Sequence, residues 1–241
     1  MLITNDFVLL NVPKTGSSFT RKIIKKVYKD KCEELLLRVM SGRTSQHGTY
    51  AQIPDEHRGK IILSIIRNPF DRYVSQYHFK WYSHSSPVSP DILKSNYPSF
   101  PEISFIEFLD MMDRFNKLII LKHHGISANT DIGFQTIHFA AFFTSSPEQD
   151  LRALIDEKSE HLLKIPRIHF LRQEYLRRDL IDFLSPYHGH QIIRSIVDSE
   201  SDENVSRGIE DRNWKKYWTP DLLETYRRKE APLLNIFSYY R

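Results

Sequence analysis

The run Ile61-Ile62-Leu63-Ser64-Ile65-Ile66 constrains this chain more than any other segment. A short apolar run rich in β-branched residues and closed by a turn signal reads as a buried strand. The closing signal is Asn68-Pro69, an N-cap followed by a first-turn proline, which predicts a helix through about Tyr82. A second run, Phe7-Val8-Leu9-Leu10-Asn11-Val12, is stopped by Pro13. From about Ser17 a helical pattern begins, with Phe19, Ile23, Ile24 and Val27 on one face. Arg21, Lys22, Lys25 and Lys26 lie on the other face, which reads as solvated. A weaker strand over Ile168 to Leu171 precedes a helix from about Arg177 to Leu184. Strands alternating with helices predict an α/β fold, a parallel sheet flanked by helices on both faces.

At 241 residues the chain fits a single domain, 1–241. With 40% hydrophobic and 12% aromatic residues it can build a substantial core, which excludes intrinsic disorder. The single cysteine, Cys32, excludes an internal disulfide and a cysteine-based zinc site. No apolar run approaches the roughly 18 residues of a membrane span, and Met1 to Leu10 lacks the basic start of a signal peptide. A cytoplasmic location is therefore expected. The surplus of 34 Lys+Arg over 30 Asp+Glu is too small for the basic stripe of a nucleic-acid binder, but it suits a pocket for a polyanionic small molecule.

Ser83 to Pro101, with four prolines and many serines, reads as a long surface loop. Helices are expected over Phe105 to Phe115 and Ile132 to Phe143, a loop over Asp198 to Asp211, and a last helix from Pro220, capped by Thr219, towards Phe237. The stripe Ile132, Phe134, Ile137, Phe139, Phe142 and Phe143 reads as core. His123-His124 and His188-Gly189-His190 lack a third ligand at sensible spacing and read as loop histidines, so no metal site is expected.

Val12-Pro13-Lys14-Thr15-Gly16-Ser17-Ser18-Phe19 lies at a strand-to-helix turn. Gly16 admits a close backbone approach, and the first N–H groups of the helix point outward towards an anion. Lys14 adds a point charge; Ser17 and Ser18 add hydroxyls. Taken alone, the segment also reads as a helix start with a solvated lysine. It is not a Walker A loop, because its lysine precedes the only glycine. The second strand then ends in Arg67, followed by Asn68-Pro69-Phe70-Asp71-Arg72-Tyr73-Val74-Ser75-Gln76-Tyr77. An arginine at the carboxyl end of a parallel strand suits bidentate phosphate binding.

Pro13 to Phe19 resembles the 5′-phosphosulfate loop of the PAPS-dependent sulfotransferases, where PAPS is 3′-phosphoadenosine-5′-phosphosulfate. Arg67 to Tyr77 resembles the 3′-phosphate motif of that family, in the family's order and 53 residues beyond Lys14. The likeness is good over about 7–82 and weaker over 165–240, where Phe170 to Leu176 resembles the family's strand-plus-acidic segment. It implies a P-loop-like α/β fold and transfer of a sulfuryl group from PAPS to a hydroxyl or amine acceptor, carbohydrates among them, leaving 3′,5′-adenosine bisphosphate. By the same resemblance, Lys14 would contact the bridging oxygen and the transferring sulfate. Thr15, Gly16, Ser17, Ser18 and Phe19 would hold the 5′-phosphate, Arg67 and Ser75 the 3′-phosphate, and Arg207-Gly208 would match a late basic-glycine pair that also touches it.

Sulfuryl transfer needs a group to take the acceptor's proton. His47, between the two motifs and beside Gly48, is the first candidate, since a histidine is half-deprotonated near neutral pH and part of the family carries its base in this interval. Glu56 and His57 are the reserves. Lys14 and the helix start can supply the positive charge, so no metal is demanded. Trp81, Tyr82 and residues 83–104 are placed as an acceptor-side lid. The competing readings are a P-loop nucleotide kinase, disfavoured by the missing Walker A, and a nucleotide-binding protein without turnover.

Overall fold

The computed structural model describes residues 1–38, 44–157, 165–201 and 213–240, with only the backbone of Arg38 and Glu157. The described residues fall into two compact units, one from Met1–Arg67 with Arg167–Arg207, the other from Asn68–Pro166 with Gly208–Arg241. No helix among them is long and apolar enough to cross a membrane.

The first unit holds a five-stranded sheet in the order Cys32–Glu34, Leu2–Thr4, Phe7–Leu10, Ile61–Ile66, Ile168–Arg172. The last three strands are parallel, with Leu9 opposite Leu63 and Leu63 opposite His169. Leu2–Thr4 and Cys32–Glu34 pair antiparallel, so the sheet is mixed and not wholly parallel as expected. The cause is local: only Asn5 and Asp6 separate the first two strands, too few for a crossover. Thr4 closes that turn, its Oγ1 accepting from the Asp6 and Phe7 N–H groups and donating to the Phe7 carbonyl.

One face of the sheet, with Phe7, Leu9, Leu63, Ile65 and Leu171, packs on the helices Ser17–Tyr28, Leu176–His188 and His190–Asp198. Val8, Leu10, Ile62, Ser64 and Ile66 of the opposite face are buried as well. Burial on both faces is why these strands read as continuous apolar runs instead of alternating ones. The basic face of helix Ser17–Tyr28 is not simply solvated. Lys22 and Lys26 pair with Glu200, at 2.6 Å for Lys22, while Arg21 and Lys25 pair with Glu34, at 2.6 Å for Lys25. Glu34 comes from the edge strand and Glu200 from beyond helix His190–Asp198, so the pairing depends on the fold around the helix.

In the second unit, Asn68 caps helix Pro69–Phe79 as expected, its side chain accepting from Phe70 N at 2.9 Å and Asp71 N at 3.3 Å. The expected loop over Ser83 to Pro101 overlaps helix Tyr82–Ser85, contains helix Pro90–Asn96, and buries Val88, Leu93 and Tyr97. Ser89-Pro90 is itself an N-cap and first-turn proline. The helix expected over Phe105 to Phe115 ends at Met111, passes through a π turn over Met112–Asn116, and resumes as Lys117–His123. Helix Phe134–Phe143 buries nine of its ten residues, so the aromatic stripe is core. The last helix is two, Pro220–Lys229 and Ala231–Ile236, because Glu230 turns inward between them. Its carboxylate, fully buried, accepts from Gln135 N (3.1 Å), Thr136 N (2.8 Å), Thr136 Oγ1 (2.6 Å) and Tyr73 OH (2.6 Å). It thereby caps the buried helix Phe134–Phe143, at a point where any Cβ on Gly133 would lie 2.1 Å from Glu230 Oε1.

Candidate active site

The strand Phe7–Leu10 hands the chain to a tight loop that opens helix Ser17–Tyr28. Two side chains fold back to close it: Thr15 Oγ1 and Ser17 Oγ both donate to the Val12 carbonyl, at 2.9 and 3.0 Å. Their protons are thus committed to the scaffold. The backbone N–H groups of the first helical turn are the donors that such a helix start offers to an anion. Gly16 is the N-cap, at φ +88°, where an L side chain is strained and where a Cβ would meet Leu176 Cδ2 at 2.6 Å. No acidic residue stands in the first turn to compete with a bound anion.

Lys14 also sits in the left-handed region, at φ +65°. Strain of this kind in a non-glycine residue concentrates at functional sites. Arg67, at the carboxyl end of strand Ile61–Ile66, donates from Nη1 to the Lys14 carbonyl at 3.1 Å and so braces the loop. Burial, and then the neighbouring Arg67 charge, push the Lys14 ammonium down to about 8. Two cations are held close together in a place that an anion would relieve.

His47 reaches the same strand end from the other side. The short strands Leu37–Arg38 and Thr44–Ser45 pair antiparallel just before it, and the His47 N–H donates to Ser45 Oγ at 3.1 Å. Its Nδ1 lies 2.7 Å from the Asn11 carbonyl. A carbonyl can only accept, so Nδ1 carries the proton and the lone pair of the neutral ring is on Nε2. Gly48 packs closely beside it: a Cβ there would lie 2.4 Å from Leu37 Cδ1, so that side chain would have to shift. Of the reserve bases, Glu56 is exposed in the turn Asp55–His57, and His57 keeps its Nδ1 buried without a hydrogen-bond partner.

The structure thus brings Lys14, Thr15, Gly16, Ser17, Arg67 and His47 to the carboxyl ends of two neighbouring parallel strands. Ser18 is half-buried in the first helical turn, and Phe19 is buried in the core, with the Arg177 guanidinium 4.6 Å above its ring. Ser75 lies half-buried about two turns along helix Pro69–Phe79, in the second unit. Arg207 and Gly208 lie outside the described residues. Sequence reasoning missed Asn11, whose signal was a polar residue within an apolar run. In the segment Phe170 to Leu176, Arg172 ends the strand Ile168–Arg172 and makes a two-pronged pair with Asp179 at 2.9 and 3.0 Å. Among the described residues no cluster of three or more His, Cys, Asp or Glu could hold a metal ion.

Fold and site together define an α/β protein in which Lys14, Arg67 and a glycine-opened helix start meet where the parallel strands end. The profile of the sulfotransferase family matches residues 3–152, well over half of the 241, a span that contains both anion motifs and His47. No curated protein matches the chain. Among solved structures, the crystal structure of mouse sulfotransferase SULT7A1 complexed with PAP is similar with a TM-score of 0.46 and 15% identity, over 93% of this chain and 82% of that one. The chain belongs to the sulfotransferase family, the PAPS-dependent class that its two motifs resemble.

Proposed function

We propose that this sulfotransferase moves the sulfuryl group of PAPS to a hydroxyl, with a carbohydrate as the acceptor class, and that His47 is the general base. The observation that carries the reading is the convergence on one strand end: the Asn11 carbonyl takes His47 Nδ1, and three residues on, the Lys14 carbonyl takes Arg67. In the proposed step the acceptor hydroxyl gives its proton to His47 Nε2 as its oxygen forms the new S–O bond. The S–O bond to the 5′-phosphate breaks in line, and 3′,5′-adenosine bisphosphate leaves with the electron pair. Lys14 and the first-turn N–H groups of Gly16 to Phe19 are assigned to the charge that grows on the leaving phosphate. Arg67 and Ser75 are assigned to the 3′-phosphate, and residues 83–104 to the acceptor side.

Thermal shift tests the donor site. At about 100 times its dissociation constant, 3′,5′-adenosine bisphosphate should stabilise the protein by about 2.7 kcal/mol, with ADP and AMP at the same concentration giving less. Lys14→Ala and Arg67→Ala should each weaken that shift, whereas His47→Ala should leave it intact and lower kcat by about 10²–10⁴-fold. Equal shifts from all three nucleotides would undo the 3′-phosphate assignment.

A further inference from the structure

Asn11 is wholly buried at the carboxyl end of strand Phe7–Leu10 and meets the His47 segment twice. Its carbonyl accepts from His47 Nδ1 at 2.7 Å, and its side-chain Nδ2 donates to the Gln46 carbonyl at 3.4 Å. Its Oδ1 is buried without a hydrogen-bond partner. An unmet buried amide oxygen opposes folding, and a leucine or valine at the end of this apolar strand would avoid it. Packing alone therefore does not account for an asparagine here.

The stretch from Asn11 to Lys14 supplies the reason, because each link in it is fixed. The Val12 carbonyl accepts two hydroxyl bonds, Pro13 has a restricted φ, and the Lys14 carbonyl accepts from Arg67. A base bonded to residue 11 and a lysine at residue 14 therefore hang from one rigid stretch of backbone. Proton removal and leaving-group stabilisation must occur in one geometry, where a displacement of about 1 Å can cost 10²-fold in rate.

We propose that Asn11 is a positioning residue, holding His47 in the Nδ1–H tautomer and in register with Lys14 through its paired contacts to residues 46 and 47. The proposal rests on the reading of His47 as the base. The Met1 nitrogen also donates to the Gln46 carbonyl, at 2.7 Å, so loss of the asparagine side chain loosens the segment without releasing it. Asn11→Leu should lower kcat by about 10–100-fold, the usual range for a residue that orients a functional histidine, with KM for PAPS and the thermal shift from 3′,5′-adenosine bisphosphate unchanged.

The direct readout is nitrogen NMR of the ¹⁵N-histidine-labelled full chain above the pKa of His47, with the His47 signals identified by their absence in His47→Ala. The wild type should show a protonated Nδ1 and an unprotonated Nε2. Asn11→Leu keeps the residue 11 carbonyl but loses the bond to Gln46. A mixture of tautomers is expected there, reporting that the loosened segment no longer holds the ring on that carbonyl. An Nε2–H form in the wild type overturns the proposal even if Asn11→Leu does not fold. Wild-type kcat and an unmixed tautomer in Asn11→Leu overturn it as well. A slow His47→Ala beside a fast Asn11→Leu removes the positioning role alone, whereas a fast His47→Ala removes the base itself.

Discussion

At Gly16 two independent constraints meet: a φ of +88° and Leu176 Cδ2 where a Cβ would go, at 2.6 Å. Gly16→Ala should therefore cost about 2 kcal/mol or more, from left-handed strain and overpacking together, and should abolish the thermal shift from the bisphosphate. Denaturant melts with and without ligand check both parts. Lys14 makes ligand affinity and stability depend on pH in opposite directions. Its ammonium titrates near 8 in the folded protein, against 10.5 for an unperturbed lysine. Bisphosphate affinity should be full below about pH 8 and fall as the pH rises through it, in titrations at constant ionic strength. Stability moves the other way. Between about 8 and 10.5 the unfolded chain holds the extra proton, so stability should rise with pH across that window. Lys14→Met should accordingly unfold at higher denaturant than wild type at pH 7. The loop residues were legible in the sequence because a lysine, a glycine and two serines after an apolar run carry their chemistry in their spacing. Asn11 was not, since its role depends on residues 46 and 47 arriving beside it.

Among the elements, the helix starts at Asn68 and Thr219 were legible, whereas the start at Ser89-Pro90 and the helix interruptions were not. Asn68, Ser104 and Thr219 each accept from a first-turn N–H, as short polar residues ahead of a helix do. Thr219→Ala should cost about 1 kcal/mol in a denaturant melt. Glu230 is the contrary case. By pattern it continues a helix, yet it leaves that helix to cap another, 94 residues away at Thr136. Burial pushes its carboxyl upward, opposed by the hydrogen bonds from Thr136, Tyr73 and Gln135. Glu230→Ala would leave those donors buried and unmet, and should destabilise by about 3 kcal/mol or more. Loss of that amount should appear as a lower unfolding midpoint with the m-value kept. The same non-local logic made helices of the proline-rich segment 83–101, whose Leu93 and Tyr97 are buried with Tyr82 in the core of the second unit.

For the whole molecule, the order of the chain and the composition of its units differ. The first unit needs residues 1–67 together with the strand Ile168–Arg172 and the helices after it, while the second is built from the stretches between and beyond. The segment that carries the family signature, 3–152, is therefore not a folding unit. A fragment ending at residue 152 would expose Leu63, Ile65 and Phe19 by removing Leu171, Leu180 and Leu184 from their core. It should show no cooperative unfolding by circular dichroism, where the full chain does; a cooperative melt of the fragment would contradict the unit boundaries. Strand burial, capping and glycine freedom act within a few residues, so the parallel strands, the helix caps at Asn68 and Thr219 and the strand-to-helix turn at Gly16 were readable from residue order alone. Long-range packing settled the rest: that Asn11 holds His47, that Arg67 braces Lys14 and that Glu200 closes on Lys22 and Lys26. Those partners stand 36, 53 and up to 178 residues apart, and no local preference brings groups so distant in the chain within bonding distance.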